Sequence, residues 1–532
     1  MGAASEDRVT MTEETKSSNR KRGQRRGGRS ANTRRSAAAV TQTPWTLPRN
    51  SDAPTEPLDD EAINAIHDGA MRVLEEIGIE FLHEETKQIL AKAGCIVSPD
   101  SDNVRMDRDF VMEQVGKAPS AFDITPRNPE RVIRIGGDRM LFGNVGSPPN
   151  CSDLDRGRRS GDRESYQDFI KLTQYFNCMH MMVGYPVEPM DVHPSIRHLD
   201  CIYDALTLCD KTIHAYSLGK ERIEDAMEMV RIAGGLTHEE FDASPRMFTN
   251  INSTSPLKID FNMLDGSMRM ARRGQPVIVT PFTLAGAMAP VTMPGAVMQQ
   301  IAEALAVVAL LETINPGVPV VFGSFTSNVD MSSGAPAFGT PEYIRATQMS
   351  GQMARFYDLP LRASNACAAN CPDAQAAWES AFSLWACVSS GVNVVYHAAG
   401  WLEGGLCASY EKFVMDCETL QQIIHYMQPT KVDDDKLAFD AIKDVGPNGN
   451  FFGASHTLSR YETAFYQPFL SDLNNFETWE ERGSIRTPER ANKVWKQILA
   501  EFEPPPLDEV IREELESFVV RRKEEGGAPT DF

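Results

Sequence analysis

The chain has 532 residues, a formal net charge of −21, 42% hydrophobic and 24% charged residues, and ten cysteines. The length exceeds one ordinary domain, and the composition is that of a soluble globular protein. Cysteines this sparse, many inside apolar helical stretches, read as reduced thiols rather than a disulfide framework; the N-terminus lacks a signal-peptide core and no apolar run reaches the ~20 residues of a bilayer span, so a cytoplasmic protein is expected.

The charge is unevenly spread. Residues 1–55 carry eleven Lys/Arg against five Asp/Glu, with eight of the basic residues between Arg20 and Arg35. This segment is too polar to bury a core and is expected to be a disordered basic tail, solvated or docking an acidic partner. The strongly acidic remainder would repel phosphates, so no nucleic-acid partner is expected. Residues 56–135 read as an N-terminal helical region, with Ile63, Ile66, Ala70, Val73, Leu74 and Ile77 on one helical face and Gly78 as its stop.

A repeating pattern follows over residues 136–428. Strand-like apolar runs begin near Met140, Met179, Lys211, Arg246, Pro276, Val318, Leu361 and Val392. Helical segments lie between them, at 164–177, 194–209, 221–233, 259–272, 294–315, 341–357 and 373–389, and an eighth at 406–427. Thr340 and Pro341 form an N-cap followed by proline at the first helical position, and Asp373 caps the next helix, which Gly391 ends. Strands alternating singly with helices predict an α/β fold, a (β/α)8 TIM barrel with helical N- and C-terminal additions. A doubly wound sheet is the competing fold, but no Gly-x-Gly-x-x-Gly follows the first strand. Residues 429–532 read as a charged C-terminal helical region, broken at Pro504–Pro506.

In a barrel, functional groups follow the strands. The residues there are Tyr185, His214, Tyr216, Asn250, Asn252, Phe282, Phe325, Asn365, His397 and Trp401, with Glu403 in the last loop. The set is poor in paired carboxylates, which argues against glycosidase chemistry. No Gly-x-Ser-x-Gly elbow supports a serine hydrolase. Cys367 and Cys371 are four apart, but in an alanine-rich loop they read as fillers, and no metal site is expected. Tyr216, Phe282, Phe325 and Trp401 come from four strand ends. Their faces suit a quaternary ammonium, each favourable ring contributing roughly 0.5–2 kcal/mol.

The stretch DAQAAWESAFSLWACVSSGVNVVYHAAGWLEGGLCASYEKFVMDCE resembles the signature of the trimethylamine:corrinoid methyltransferase superfamily. LDDEAINAIHDGAMRVLEEIGIEF and GASHTLSRYETAFYQP resemble its N- and C-terminal parts, so the likeness runs from about Leu58 to Pro505. The resemblance implies a TIM barrel that hands an N-methyl group to the cobalt(I) of a separate corrinoid-binding protein, with no tightly bound cofactor of its own. It implies a small quaternary amine such as glycine betaine as substrate, because the pyrrolysine of the archaeal trimethylamine branch is absent here. The alternatives are trimethylamine or another tertiary amine as methyl donor, and a non-catalytic betaine-binding or partner-docking barrel. His397 and Asn365 are then expected to orient the substrate in the catalytic centre. Tyr216, Asn252, Phe282, Phe325, Trp401 and Glu403 are expected to bind it. The protein is expected to be a homo-oligomer without a membrane partner.

Overall fold

The computed structural model describes residues 40–530, so the Arg20–Arg35 cluster of the expected basic tail lies outside the described residues. Six of the eight strand-like runs form one sheet. They are β1 (Leu141–Asn144), β2 (Thr249–Ile251), β3 (Val277–Val279), β4 (Val320–Gly323), β5 (Leu361–Ser364) and β6 (Val394–Ala399). Their order is β1-β6-β5-β4-β3-β2, and every neighbouring pair is parallel. The runs near Met179 and Lys211 contribute isolated parallel bridges instead: Gly143 with Met181, Met181 with Thr212, and His214 with Phe248. The fold is therefore mixed α/β around a six-stranded parallel sheet.

Eight helices alternate with these segments: α1 (Arg163–Tyr175), α2 (Pro194–Leu208), α3 (Lys220–Ala233), α4 (Phe261–Arg272), α5 (Met293–Ile314), α6 (Pro341–Phe356), α7 (Ala374–Ser390) and α8 (Tyr410–Tyr426). Local chemistry sets their ends. Asp373 accepts the Gln375 and Ala376 N–H groups at the start of α7, and Gly391 ends it in a left-handed conformation at φ 70°. Helix α5 corrects the expectation about apolar runs. At 22 residues it is long and apolar enough to cross a membrane, yet 83% of its most apolar window is buried within the fold. It packs against α4, α6 and the helices Asp60–Arg72, Glu84–Lys92 and Arg108–Val115.

Strand alternation divides the core in two. Leu361 and Ala363 of β5 face the large cluster between sheet and helices. Leu141, Met181, Val183, Phe248, Ile278, Val321, Val394 and Tyr396 form a separate cluster on the other face. A hairpin of Ala121–Ile124 and Ile133–Gly136 inserts Phe122, Ile124, Ile133 and Ile135 into that second cluster. That face is thus filled with hydrocarbon at one end, and its polar groups, Arg362 and Asn250 among them, gather toward the other.

The N-terminal region is not purely helical. Short strands Ile79–Phe81, Ile96–Val97 and Asn103–Arg105 join Lys258–Ile259 in a four-stranded sheet. Two- and three-residue strands carry too few positions to show a period of two, which hides them from the sequence pattern. In the C-terminal region, α9 (Thr487–Ala500) packs on α8 and α1, and α10 (Glu509–Glu524) on α2 and α3.

Residues 40–55, expected within the disordered tail, instead lie across the hairpin end of the fold. The Val40 N–H donates to the Tyr175 hydroxyl, the Thr43 N–H to Gln421 and the Asn50 N–H to the Asp138 carbonyl. Trp45 and Leu47 pack on the inner-face cluster, and the Arg131 guanidinium lies 5.1 Å over the Trp45 ring. Those apolar and backbone contacts outweigh the polarity that the sequence shows locally. A variant starting at residue 56 should therefore melt lower than one starting at residue 40, by several degrees, as expected for the loss of roughly 2–3 kcal/mol. Equal melting temperatures in a thermal scan would show that the strap contributes nothing.

Candidate active site

The site is built where β6 loses register with β1. That ladder slips between Val395 and Ala399, and within the slip His397 adopts φ 55°. A left-handed backbone is rare for a residue with a Cβ and marks a conformation held by its surroundings. What holds it is visible at the end of β1, where the Gly146 N–H donates to His397 Nδ1 at 3.1 Å. Nδ1 accepts, so the ring proton sits on Nε2. Position 146 has no room for a side chain, because a Cβ there would lie 2.5 Å from the Val183 carbonyl oxygen.

His397 opens onto a cavity of about 490 Å³ beyond the inner-face cluster. Its ring lies 3.9 Å from that of Trp401 and 6.1 Å from that of Phe325, and Phe325 meets Trp401 edge to face at 6.2 Å. Tyr216 and Tyr185 form a T-shaped pair at 4.6 Å in the same lining, the Tyr216 hydroxyl bonding Ser147 and accepting the Tyr185 N–H at 3.0 Å. His214 accepts the Asn250 N–H through Nε2 at 3.1 Å, and Asn250 Nδ2 donates to Asn252 Oδ1 at 2.5 Å. Arg362 reaches the cavity from the middle of β5. Its guanidinium carbon lies 4.2 Å over the Tyr396 ring and 5.1 Å over that of Phe325.

Burial sets the charge states here. It holds His397 well below the ordinary histidine value, with the Arg362 cation adding to the effect, and it drives His214 down to about 3. Both rings are neutral at physiological pH. The same desolvation raises the Tyr216 and Tyr396 phenols far above their usual range and lowers Arg362 to about 10. Glu188 is the one carboxylate lining the cavity among the described residues. Burial pushes it up to about 7, partly opposed by Arg197 at 3.5 Å.

Of the residues predicted for the site, His397, Tyr216, Asn252, Phe325 and Trp401 line this cavity together. Three do not. Phe282 stands behind Phe325, ring to ring at 5.0 Å, as support for the wall. Asn365 is fully buried at the joint of β5 and β6, donating through Nδ2 to the Ala398 carbonyl at 3.0 Å and through its N–H to Tyr396 at 2.9 Å. Glu403 turns away to pair with Arg158 at 3.0 Å. The Cys367 thiol bonds Glu379 at 3.1 Å while Cys371 is exposed, and no three potential metal ligands cluster among the described residues. Sequence reasoning passed over Arg362. Its signal was a lone charge inside the otherwise small and apolar run PLRAS, where a buried parallel strand admits a cation only for a reason.

Comparison with characterised proteins points to methyl transfer. The chain is 37% identical over 471 residues to a glycine betaine methyltransferase of Desulfitobacterium hafniense (strain Y51), covering 88% of this chain and 98% of the relative. It is 29% identical over 475 residues to the trimethylamine methyltransferase MttB of D. hafniense (strain DSM 10664 / DCB-2), covering 88% and 94%. It is 28% identical over 474 residues to a proline betaine:corrinoid methyltransferase of Eubacterium limosum, covering 86% and 96%. The sequence model of the trimethylamine methyltransferase (MTTB) family matches residues 25–527, and the chain belongs to that family.

Proposed function

We propose that this enzyme transfers an N-methyl group from a quaternary amine of the glycine betaine type to the corrinoid of a separate protein. The observation that carries the reading is an aromatic-walled cavity in which His214 and His397 are neutral and committed to backbone N–H groups. Neither of these histidines is poised to shuttle a proton. A quaternary amine needs no proton transfer: the methyl C–N bond breaks, its electron pair stays on nitrogen, and the amine leaves as a neutral tertiary amine. The partner's cobalt supplies the nucleophile. This chain's residues bind the ammonium, aim one methyl outward and exclude water.

Phe325, Trp401 and Tyr216 supply ring faces for the cation. His397, pinned by Gly146 and packed on Trp401, orients rather than exchanges a proton. The corrinoid protein docks over the cavity mouth at the carboxyl ends of the strands. The eight strand segments are further proposed to close as a (β/α)8 barrel, supported by the bridges at Met181, Thr212 and Phe248 and by the filled inner face.

Replacing Trp401 with Leu should weaken glycine betaine binding by about 1–2 kcal/mol in calorimetry, the worth of one desolvated cation–π contact. Wild-type affinity and turnover in both Trp401→Leu and His397→Ala, followed by corrinoid methylation in the visible spectrum, would move the site elsewhere. Binding should also strengthen as pH rises through about 7, where Glu188 changes from neutral acid to carboxylate. Glu188→Gln should abolish that step. His397→Asn should leave it in place, since His397 titrates well below this range. A titration near pH 6.5 that disappears in His397→Asn would overturn the neutral-histidine assignment.

A further inference from the structure

The cavity floor is unusually rich in hydrogen-bond donors that have nothing to bond. Arg362 is 3% exposed, and its Nε has no partner. Its recorded hydrogen bond is a long one, Nη1 to the Ser324 carbonyl at 3.3 Å. No carboxylate pairs with it among the described residues, and the charged side chain nearest in kind, Glu188, is paired with Arg197. Arg362 is in register with Val394 and Gly323, beside the hydrocarbon cluster that holds Ile278, Val321 and Val394.

Three further polar groups lining or facing the same space are buried and unpartnered: His214 Nδ1, the Tyr396 hydroxyl and Trp401 Nε1. Because His214 Nε2 accepts from Asn250, its Nδ1 carries the hydrogen and can only donate. Trp401 Nε1 and Arg362 Nε are donors by nature. A buried cation without a counter-ion, and buried donors without acceptors, each cost free energy that a native fold normally avoids. The economical explanation is that the missing partner arrives with the ligand. It must be small, anionic and able to accept several hydrogen bonds at once, and a planar carboxylate matches the guanidinium fork.

We propose that Arg362 anchors the carboxylate of a zwitterionic quaternary amine at the cavity floor, with His214 and Tyr396 as neighbouring donors, and so sets the orientation of the substrate. The inference rests on the quaternary-amine reading above and adds what selects among such amines. With the carboxylate held inward, the ammonium is directed into the ring of Phe325, Trp401 and Tyr216, and a methyl points to the mouth. Arg362 is thus a specificity residue. It favours compounds carrying one negative group a short distance from the ammonium, and it opposes a bare cation, which would meet a buried positive charge instead.

The test compares three probes on the purified full-length protein by calorimetry: glycine betaine, its methyl ester, in which the negative charge is removed, and tetramethylammonium. Wild type should bind glycine betaine on the order of 100-fold more tightly than the ester or tetramethylammonium, the scale of a desolvated charge pair. In Arg362→Gln the preference should fall to under about 10-fold through loss of betaine affinity alone, with ester affinity kept within about threefold as proof that the ring pocket is intact. Arg362→Lys, which keeps the charge but not the fork, should lie between. It also serves as the deciding variant should the glutamine protein fail to fold. Wild type that binds tetramethylammonium or the ester as tightly as betaine would overturn the anchor while leaving the quaternary-amine reading standing. Retention of the full preference in Arg362→Gln or in Arg362→Lys would likewise overturn it and make Arg362 a stacking element beneath Tyr396 and Phe325. Wild type that binds none of the three would overturn both readings together.

Discussion

The hydrocarbon layer on the inner face of the parallel sheet governs most of what this protein can do. Phe122, Ile124, Ile133 and Ile135 of the hairpin meet Leu141, Ile278, Val321 and Val394 of the strands and fill one end. The polar groups of this face then gather at the other end, toward and past the carboxyl ends of the strands. There the side chains of successive strands converge on one volume, as general rules for parallel α/β folds predict. Chemistry is concentrated there because hydrocarbon excludes it everywhere else along the same face.

Burial next to that layer has a second consequence. It keeps His214 and His397 neutral and the Tyr216 phenol protonated, and it raises Glu188, the one lining carboxylate among the described residues, to about 7. An enzyme moving protons would need groups poised to change state under working conditions. The neutral His214 and His397 beside the aromatic wall instead suit a reaction in which positioning lowers the barrier. Arg362, one of three arginines lining the cavity, stands on the plug with two aromatic rings beside it.

The backbone supplies the remaining precision. His397 occupies a left-handed conformation inside a slip of register, and the Gly146 N–H fixes both its tautomer and its direction. Phe282 and Asn365, though outside the cavity, hold parts of its frame: the first backs Phe325, and the second ties the ends of β5 and β6. Such supporting groups share the residue types of a binding site without touching the ligand.

Much of this was legible in the chain by itself. Six of the eight strand starts, the intervening helices, the caps at Thr340 and Asp373 and the convergence of Tyr216, Phe325, His397 and Trp401 all follow from periodicity, capping and the alternation of strand and helix, which are local in sequence. The family resemblance added the reaction class. What only the tertiary structure decided depends on contacts between distant segments. Residues 40–55 become ordered because Tyr175, Gln421 and Asp138 lie beneath them. Glu403 leaves the site because Arg158, 245 residues away in sequence, claims it. Arg362 looked like one cation in a short strand until folding placed it beside hydrocarbon and unpartnered donors, with the cavity's one carboxylate among the described residues claimed by Arg197. Whether a charge is satisfied is a property of what surrounds it in space, and local sequence does not encode those surroundings.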